Sequence, residues 1–324
     1  MIQLIAKQRK IPIRIQIYEA LLRRLPKNHP KRPEIEEDAL KRQAGYKGEQ
    51  ALDFYLNLLP EKDYTIFHDL RLPYGNSHFQ IDTLLLSSTF ALILEVKNIS
   101  GTLIFDRTFN QLIRITGDKE ESFPDPLSQV YNQHYQFKNW MEKRKIPELP
   151  IEYLVVISNS SSIIKISGNS NIYRKICPVG DLLRRINEIS KIYKSIIITQ
   201  KEIRRISQFL LKNHSEPSYD ITQIYGISKK EISTGVQCPS CFTMPMIRKH
   251  GTWECPLCQT RSKTAHVQAL QDYFLLIDSS ITNKQFRDFL HLHSINTANY
   301  LLSSMNLCTS GSTKSRLYHD NQQD

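Results

Sequence analysis

Gln80-Ile81-Asp82-Thr83-Leu84-Leu85-Leu86 and Leu92-Ile93-Leu94-Glu95-Val96-Lys97 decide the fold of this 324-residue chain. Both runs read as buried strands, yet they hold two carboxylates and an ammonium. An unpaired charge in such surroundings costs on the order of several kcal/mol. Groups of this kind persist where they do chemistry, usually around a metal ion. Glu95 and Lys97 are two apart, so on a strand they share a face. Ser88-Thr89 separates the runs, and a symmetric reversal there makes paired residue numbers sum to 177. That register sets Asp82 opposite Glu95 and Gln80 opposite Lys97. Opposed side chains have Cβ atoms roughly 5 Å apart, and like charges so close repel. A divalent cation between them turns repulsion into coordination. The alternative is a surface hairpin with an ordinary Glu–Lys pair, and the apolar flanks argue against it.

The pattern Asp82-x12-Glu95-x-Lys97 resembles the PD-(D/E)xK nuclease superfamily. Its context resembles the nuclease-related domain (NERD) branch: Gly45-Tyr46-Lys47-Gly48-Glu49, His68-Asp69-Leu70, Gln80-Ile81-Asp82, Glu95-Val96-Lys97-Asn98, Gly101 and Pro126-Leu127-x-Gln129. The likeness spans about residues 40–145. Thr83 stands where the family often has His, and Phe90 where Gly is common. The resemblance implies an α/β, restriction-endonuclease-like core with a mixed central sheet flanked by helices. It implies a nuclease in which Asp82 and Glu95 hold Mg²⁺ or Mn²⁺ and Lys97 orients a water or neutralises developing charge. Glu49 would approach the site from a helix, and Gln80 and Gln129 would position these groups.

Composition fits a polyanionic partner: the net charge is +11. Residues 1–32 carry nine Lys/Arg against one Glu, a local +8. Residues 1–33 therefore read as a basic arm, part helical, with Ile15, Tyr18, Leu21 and Leu22 at helical spacing. Either direct DNA contact or packing on the core suits that arm. Lys7, Arg9 and Lys10 are not followed by the apolar stretch that export requires. No run approaches the length of a membrane span, so a cytoplasmic protein without a membrane partner is expected.

Residues 34–59 read as a helix, with Pro33 at its start and acidic residues in its first turn. Strands follow at 64–69, 79–87, 90–97, 101–106 and 110–116, a helix near 127–143, and a buried strand at 153–157. Helical patterns near 180–192 and 200–212 close a core spanning 34–213. Residues 214–236, polar and with Pro217, Gly226 and Gly235, read as a linker.

Cys238-Pro-Ser-Cys241 and Cys255-Pro-Leu-Cys258 have nearly the spacing of a zinc ribbon, predicted over 237–265. Four thiolates complete a closed, structural tetrahedral Zn²⁺ shell; an iron site with the same thiolates is the alternative. His250 and His266 are not needed as ligands. Over 266–318, Thr282 to Gln285 form a capping box, and Ser294 can cap a second helix. A hairpin at 311–318 would complete a region that resembles a winged helix-turn-helix, exposing Asn296, Asn299, Tyr300 and Ser303; a helical pair packed on the core is the alternative. A disordered tail is expected over 319–324.

The expected function is a Mg²⁺-dependent DNA nuclease whose zinc ribbon aids substrate binding. A non-catalytic DNA-binding or regulatory protein on the same fold, or an RNA nuclease, stays open.

Overall fold

The computed structural model describes residues 5–167, 171–312 and 316–320. In chain order these form β1 (Ile5–Lys7), α1 (Ile13–Arg24), α2 (Arg32–Leu56), β2 (Thr65–Tyr74), β3 (Ser77–Leu86) and β4 (Ala91–Lys97). Next come β5 (Thr102–Asp106), β6 (Gln111–Thr116), β7 (Lys119–Pro124), α3 (Pro126–Lys143), β8 (Ile151–Ile157), β9 (Ile163–Ser167) and β10 (Ile176–Pro178). Helices α4 (Leu182–Ile192), α5 (Gln200–Asn213) and α6 (Ile221–Tyr225) follow. The chain continues through β11 (Ile247–Lys249), β12 (Thr252–Glu254), β13 (Arg261–Ser262), α7 (Ala265–Leu276) and β14 (Ser280–Thr282). It finishes with α8 (Asn283–Leu290), α9 (Ile295–Ser304), β15 (Cys308–Ser310) and β16 (Leu317–His319). Among the described residues no helix is long and apolar enough to cross a membrane.

Two compact units emerge: Met1–Ile11 with Lys41–Pro217, and Pro12–Leu40 with Ser218–Asp324. The first is a mixed six-stranded sheet, ordered β1-β2-β3-β4-β8-β10, beside a four-stranded sheet, ordered β7-β6-β5-β9. In the larger sheet β2, β3 and β4 are antiparallel, while β1, β8 and β10 pair in parallel. Its two faces bury different cores, as strand alternation requires. Ala91 and Ile93 of β4 and Val155 and Ile157 of β8 pack with Val130 and Phe137 of α3 and Ile203 and Ile206 of α5. Leu92, Leu94, Val96, Leu154 and Val156 pack with Leu52 and Leu56 of α2 and Leu182 and Ile186 of α4. By the same parity Glu95 and Lys97 lie on the α3 face.

The register of β3 on β4 is the expected one: Thr83 pairs with Leu94, Leu84 with Ile93, Leu85 with Leu92 and Leu86 with Ala91. Helix α3 begins at Pro126, and the Asp125 side chain accepts from the backbone N–H groups of Leu127 and Ser128. A capping box of Thr199 and Glu202 starts α5. Strands β1, β7, β9 and β10 are absent from the sequence reading. They are short or polar, β7 being Lys-Glu-Glu-Ser-Phe-Pro, and pairing rather than periodicity defines them.

The basic arm expected over residues 1–33 divides instead between the two units. Ile5–Lys7 joins the larger sheet beside β2. Helix α1 is built into the second unit, where Ile17, Tyr18, Ala20 and Leu21 join Ile35, Ala39, Ile221, Tyr225 and Leu276 in one core. The expected linker is likewise folded: Ile221, Tyr225, Ile227 and Ile232 are buried in that core.

An ion pair anchors this second unit. Arg24, fully buried, donates through Nε to Asp272 at 2.8 Å and through Nη1 to the carbonyl of Gly235 at 2.7 Å. Its guanidinium also lies 4.9 Å from the Phe289 ring centre. Arg23 reaches the other Asp272 oxygen at 2.7 Å. These basic residues are structural, because burial forbids leaving Arg24 without its carboxylate.

The region after α6 carries a small sheet ordered β11-β12-β13 and a three-stranded antiparallel sheet ordered β14-β16-β15. Thr282 and Gln285 form the expected capping box of α8, and Ser294 caps α9. Asn296, Asn299, Tyr300 and Ser303 are exposed on α9. The sequence reading lacks β14, which pairs with β16. Of the expected hairpin and tail, residues 313–315 and 321–324 lie outside the described residues, and His319 belongs to β16.

Asp272→Ala should destabilise the protein by about 3–5 kcal/mol, the usual cost of stranding a buried charge. Urea unfolding of the variant beside the wild type reads this directly.

Candidate active site

Strands β2 and β3 both change the face they bury at one level. Phe67 lies in the α3-side core, and so do Leu70 and Leu72, which have the opposite parity. Leu84 and Leu86 belong to that core as well, and so do Phe79 and Ile81. The change falls at Asp69, whose φ is 51°, and across the ladder at Asp82. The β3–β4 ladder ends at Thr83 and Leu94. Just beyond it, Asp82 Oδ2 accepts the backbone N–H of Val96 at 3.0 Å. The two carboxylates therefore occupy the adjacent positions that the register predicts.

Glu95 is 1% exposed. Lys97 Nζ donates to its Oε1 at 2.6 Å, and Gln133 Nε2 donates to its Oε2 at 2.7 Å. Lys97 Nζ also donates to Gln129 Oε1 at 2.9 Å. Gln129 and Gln133 are four apart on α3, hence on one helix face. Gln129 was legible in the sequence. Gln133 was not, although that spacing was its available signal. The Gln133 Oε1 atom is buried without a polar partner, which leaves an acceptor free for a water.

Gln80 departs from expectation. It pairs with Arg71 of β2, and its amide donates to Asp69 at 3.2 Å rather than turning to Lys97. The β3–β4 ladder does not reach that far, so register arithmetic has no meaning at Gln80.

Glu49 arrives from α2. A Cβ at Gly48 would come within 2.4 Å of Asn98 Cβ and 2.7 Å of Ser158 Oγ. Only glycine lets the helix cross this closely over the ends of β4 and β8. Asn98 Nδ2 then donates to the Ala44 carbonyl at 2.7 Å and ties the crossing.

Arg9 organises the far side of Glu49. Its guanidinium side chain is 4% exposed. It donates to Glu49 Oε2 at 2.8 Å and to Asp53 Oδ1 at 3.0 Å. Its Nη2 also donates to His68 Nδ1 at 2.9 Å and to Thr83 Oγ1 at 3.3 Å. His68 Nδ1 is therefore an acceptor, which assigns the proton to Nε2. Burial, then Arg9 and Lys7, press the His68 pKa down to about 3, so the ring is neutral. No motif identified Arg9 as part of the site.

Carboxylates crowd this end of the sheet. Burial, then Asp69, push the Glu49 pKa up to about 7, against the pull of Arg9. Asp82 is raised well above the ordinary carboxylate range, first by burial and then by Glu95 and Glu49. Asp69 is raised by burial and held back by Arg9, Lys7 and Gln80.

Residues 44–158 match the family model of the nuclease-related domain, NERD. The first unit carries a nuclease-related domain. No curated protein and no solved structure matched the chain. Asp82, Glu95, Lys97, Glu49, Gln129 and Gln133 all fall inside the NERD region, whereas Arg9 lies upstream of it.

In the second unit Cys238, Cys241, Cys255 and Cys258 bring their sulfurs within 4.8 Å of one another. Two Sγ–Sγ separations are 3.6 and 3.5 Å. Tetrahedral zinc with Zn–S near 2.3 Å requires roughly 3.8 Å, so the cluster is compatible with a zinc ribbon. Trp253, fully buried, donates its indole N–H to His266 Nδ1 at 3.2 Å. His266 is thus a core histidine, its pKa lowered to about 4 by burial and by Arg248. Among the described residues no other group of three or more Cys, His, Asp or Glu converges this tightly.

A carboxylate whose folded pKa exceeds its unfolded value withdraws stability as pH rises above that unfolded value, here 3.8 for Asp82. Asp82→Asn removes the penalty. Melting in metal-free buffer should show the variant at least as stable as the wild type at pH 8, with the difference closing as pH falls toward 4. Glu95→Gln should lack this gain, because Lys97 and Gln133 already satisfy Glu95.

Proposed function

We propose that this protein is a divalent-metal-dependent nuclease that hydrolyses phosphodiester bonds in DNA, and that its four cysteines hold a structural zinc in a region that aids substrate binding. The convergence of Asp82, Glu95 and Lys97 beneath Glu49, within a nuclease-related domain, carries this reading.

Asp82, Glu95 and the Val96 carbonyl offer hard oxygen donors of the kind that suit Mg²⁺ or Mn²⁺. Both oxygens of Glu95 already accept a hydrogen bond, but a carboxylate retains further lone pairs. Burial first, and then the charges of Glu95 and Glu49, raise the Asp82 pKa, and a cation there would relieve both. When bound, the ion would supply Lewis-acid polarisation of the scissile phosphate.

The chain's own residues supply the rest. Hydrolysis adds water to phosphorus and breaks the bond to the leaving sugar oxygen, so one proton must leave the water and one must reach the leaving oxygen. Glu49, with a pKa of about 7, is poised to exchange a proton near neutral pH. Lys97 brings a positive charge to the oxygens where negative charge develops. Gln129 and Glu95 fix the Lys97 ammonium from two sides, and Gln133 fixes Glu95. Arg9 restrains Glu49 without being exposed to substrate. Paired thiols without disulfides agree with action in the cytoplasm.

Cleavage of plasmid and branched DNA with Mg²⁺ or Mn²⁺ tests the activity. Asp82→Ala should abolish it, and Lys97→Ala should lower kcat by about two orders of magnitude while changing DNA affinity little. Inactivity of the pure wild type on both DNA and RNA would leave a non-catalytic nucleic-acid-binding protein.

Metal analysis should find about one zinc per chain, as a single four-thiolate shell requires. Cys258→Ser should lower that content without removing Mn²⁺ binding that depends on Asp82. A zinc-free native protein would refute the ribbon.

A further inference from the structure

We infer that a cleft on the sheet face that carries Glu95 and Lys97 takes up an unpaired nucleotide of the substrate strand, so that the preferred substrate contains single-stranded DNA rather than continuous duplex. This rests on the nuclease reading and names the substrate class of that site.

The cleft lies within the first unit and measures about 350 Å³. Arg107 and Lys175 supply its cations, Tyr131 and Tyr153 its aromatic walls, and Ser128 and Asn132 hydrogen-bonding groups from α3. Its position follows from register. Val155 of β8 pairs with Glu95 of β4, and Tyr153 lies two residues earlier. Tyr153 thus shares a sheet face with Glu95 and Lys97, roughly 7 Å along the strand from the level of Glu95 and roughly 13 Å from that of Lys97. On α3, Asn132 is three residues from Gln129, which holds Lys97, while Tyr131 is two from both Gln129 and Gln133 and so lies on the other flank of the helix.

The lining suits a nucleotide. Tyr131 stands edge-on to Tyr153, with ring centres 6.4 Å apart and planes at 81°, and remains 54% exposed. Lys175 Nζ is paired with Glu152, more exposed than that partner, and lies 4.4 Å from the centre of the Tyr153 ring. Arg107 spends Nη1 on Asp125 at 2.8 Å, and a guanidinium carries five donors. That aspartate caps α3 and is nearly inaccessible, with 2% of its side chain exposed against 24% for Arg107. The cation, not its partner, faces the cleft.

Exposed aromatics neighbour the cleft's lining residues along the chain. Phe109, 77% exposed, precedes the lining residue Asn110, and Tyr173 follows Ile172. Tyr135 is exposed one helical turn beyond Tyr131. Among the described residues of this unit, Phe54 is the one other exposed aromatic. Aromatic faces interleaved with cations bind unpaired bases and phosphates together, since bases inside a duplex offer no face to stack on. A groove built for duplex would need cations along its length and no such faces.

Binding can be measured without cleavage. A fluorescent single-stranded oligodeoxynucleotide of about 12 nucleotides, within the usual site size, is titrated with protein in EDTA and followed by anisotropy, beside a blunt duplex of the same sequence. The wild type should prefer the single strand. Tyr131→Ala and Lys175→Gln should each weaken its binding about tenfold, and Tyr131→Phe should retain it. Lys175→Gln should also reduce the salt slope by about 0.7. Tyr131 is exposed, so its substitution spares the core, and melting of each variant confirms folding. Unchanged affinity in both variants, or duplex bound as tightly as single strand, overturns the inference. Cleavage in Mg²⁺ with unchanged variant affinity overturns it while sparing the nuclease reading. The predicted binding pattern without cleavage does the reverse.

Discussion

Two cations, Arg9 and Lys97, hold the carboxylates at one end of the larger sheet. Lys97 serves Glu95, and Arg9 serves Glu49 and Asp53. Asp82 is given a backbone N–H instead of a side-chain cation. The pKa values of Glu49 and Asp82 record the resulting imbalance, since both rise with burial and with their acidic neighbours. A low-dielectric site short of positive charge is ready to accept more of it. The fold keeps this charge imbalance at the end of the sheet where Glu49 meets Asp82 and Glu95.

Backbone features, more than side-chain variety, bring these groups together. The positive φ of Asp69 lets β2 change the face it buries, and β3 changes beside it. Gly48 then allows α2 to approach the strand ends more closely than any side chain would permit. The same helix presents Glu49 and Asp53, four apart, to a single arginine. Each of these devices would be a defect in a purely structural domain.

The second unit obeys a different constraint. Its two cores are supplemented by a buried Arg24–Asp272 pair and a four-cysteine cluster. The β11–β12 module buries Met246 and Trp253 together with Cys238 and Cys255. Beyond that module, α8 and α9 follow local capping signals, whereas β14 exists only because β16 returns to pair with it.

The sequence by itself determined the strands at Asp82 and Glu95, their register, the Lys97 neighbourhood and the cysteine cluster. These signals are local: apolar runs, spacing of two on a strand, a short turn, and paired C-x-x-C. Capping residues made α8 and α9 legible for the same reason. Tertiary structure alone decided that Arg9 enters the site, that Gln133 holds Glu95 while Gln80 turns to Asp69, and that residues 12–40 fold with residues 218–324. Those contacts join groups tens to hundreds of residues apart. A lone arginine in a basic stretch looks the same whether solvated or buried, because what distinguishes the two is the set of carboxylates that the fold brings to it.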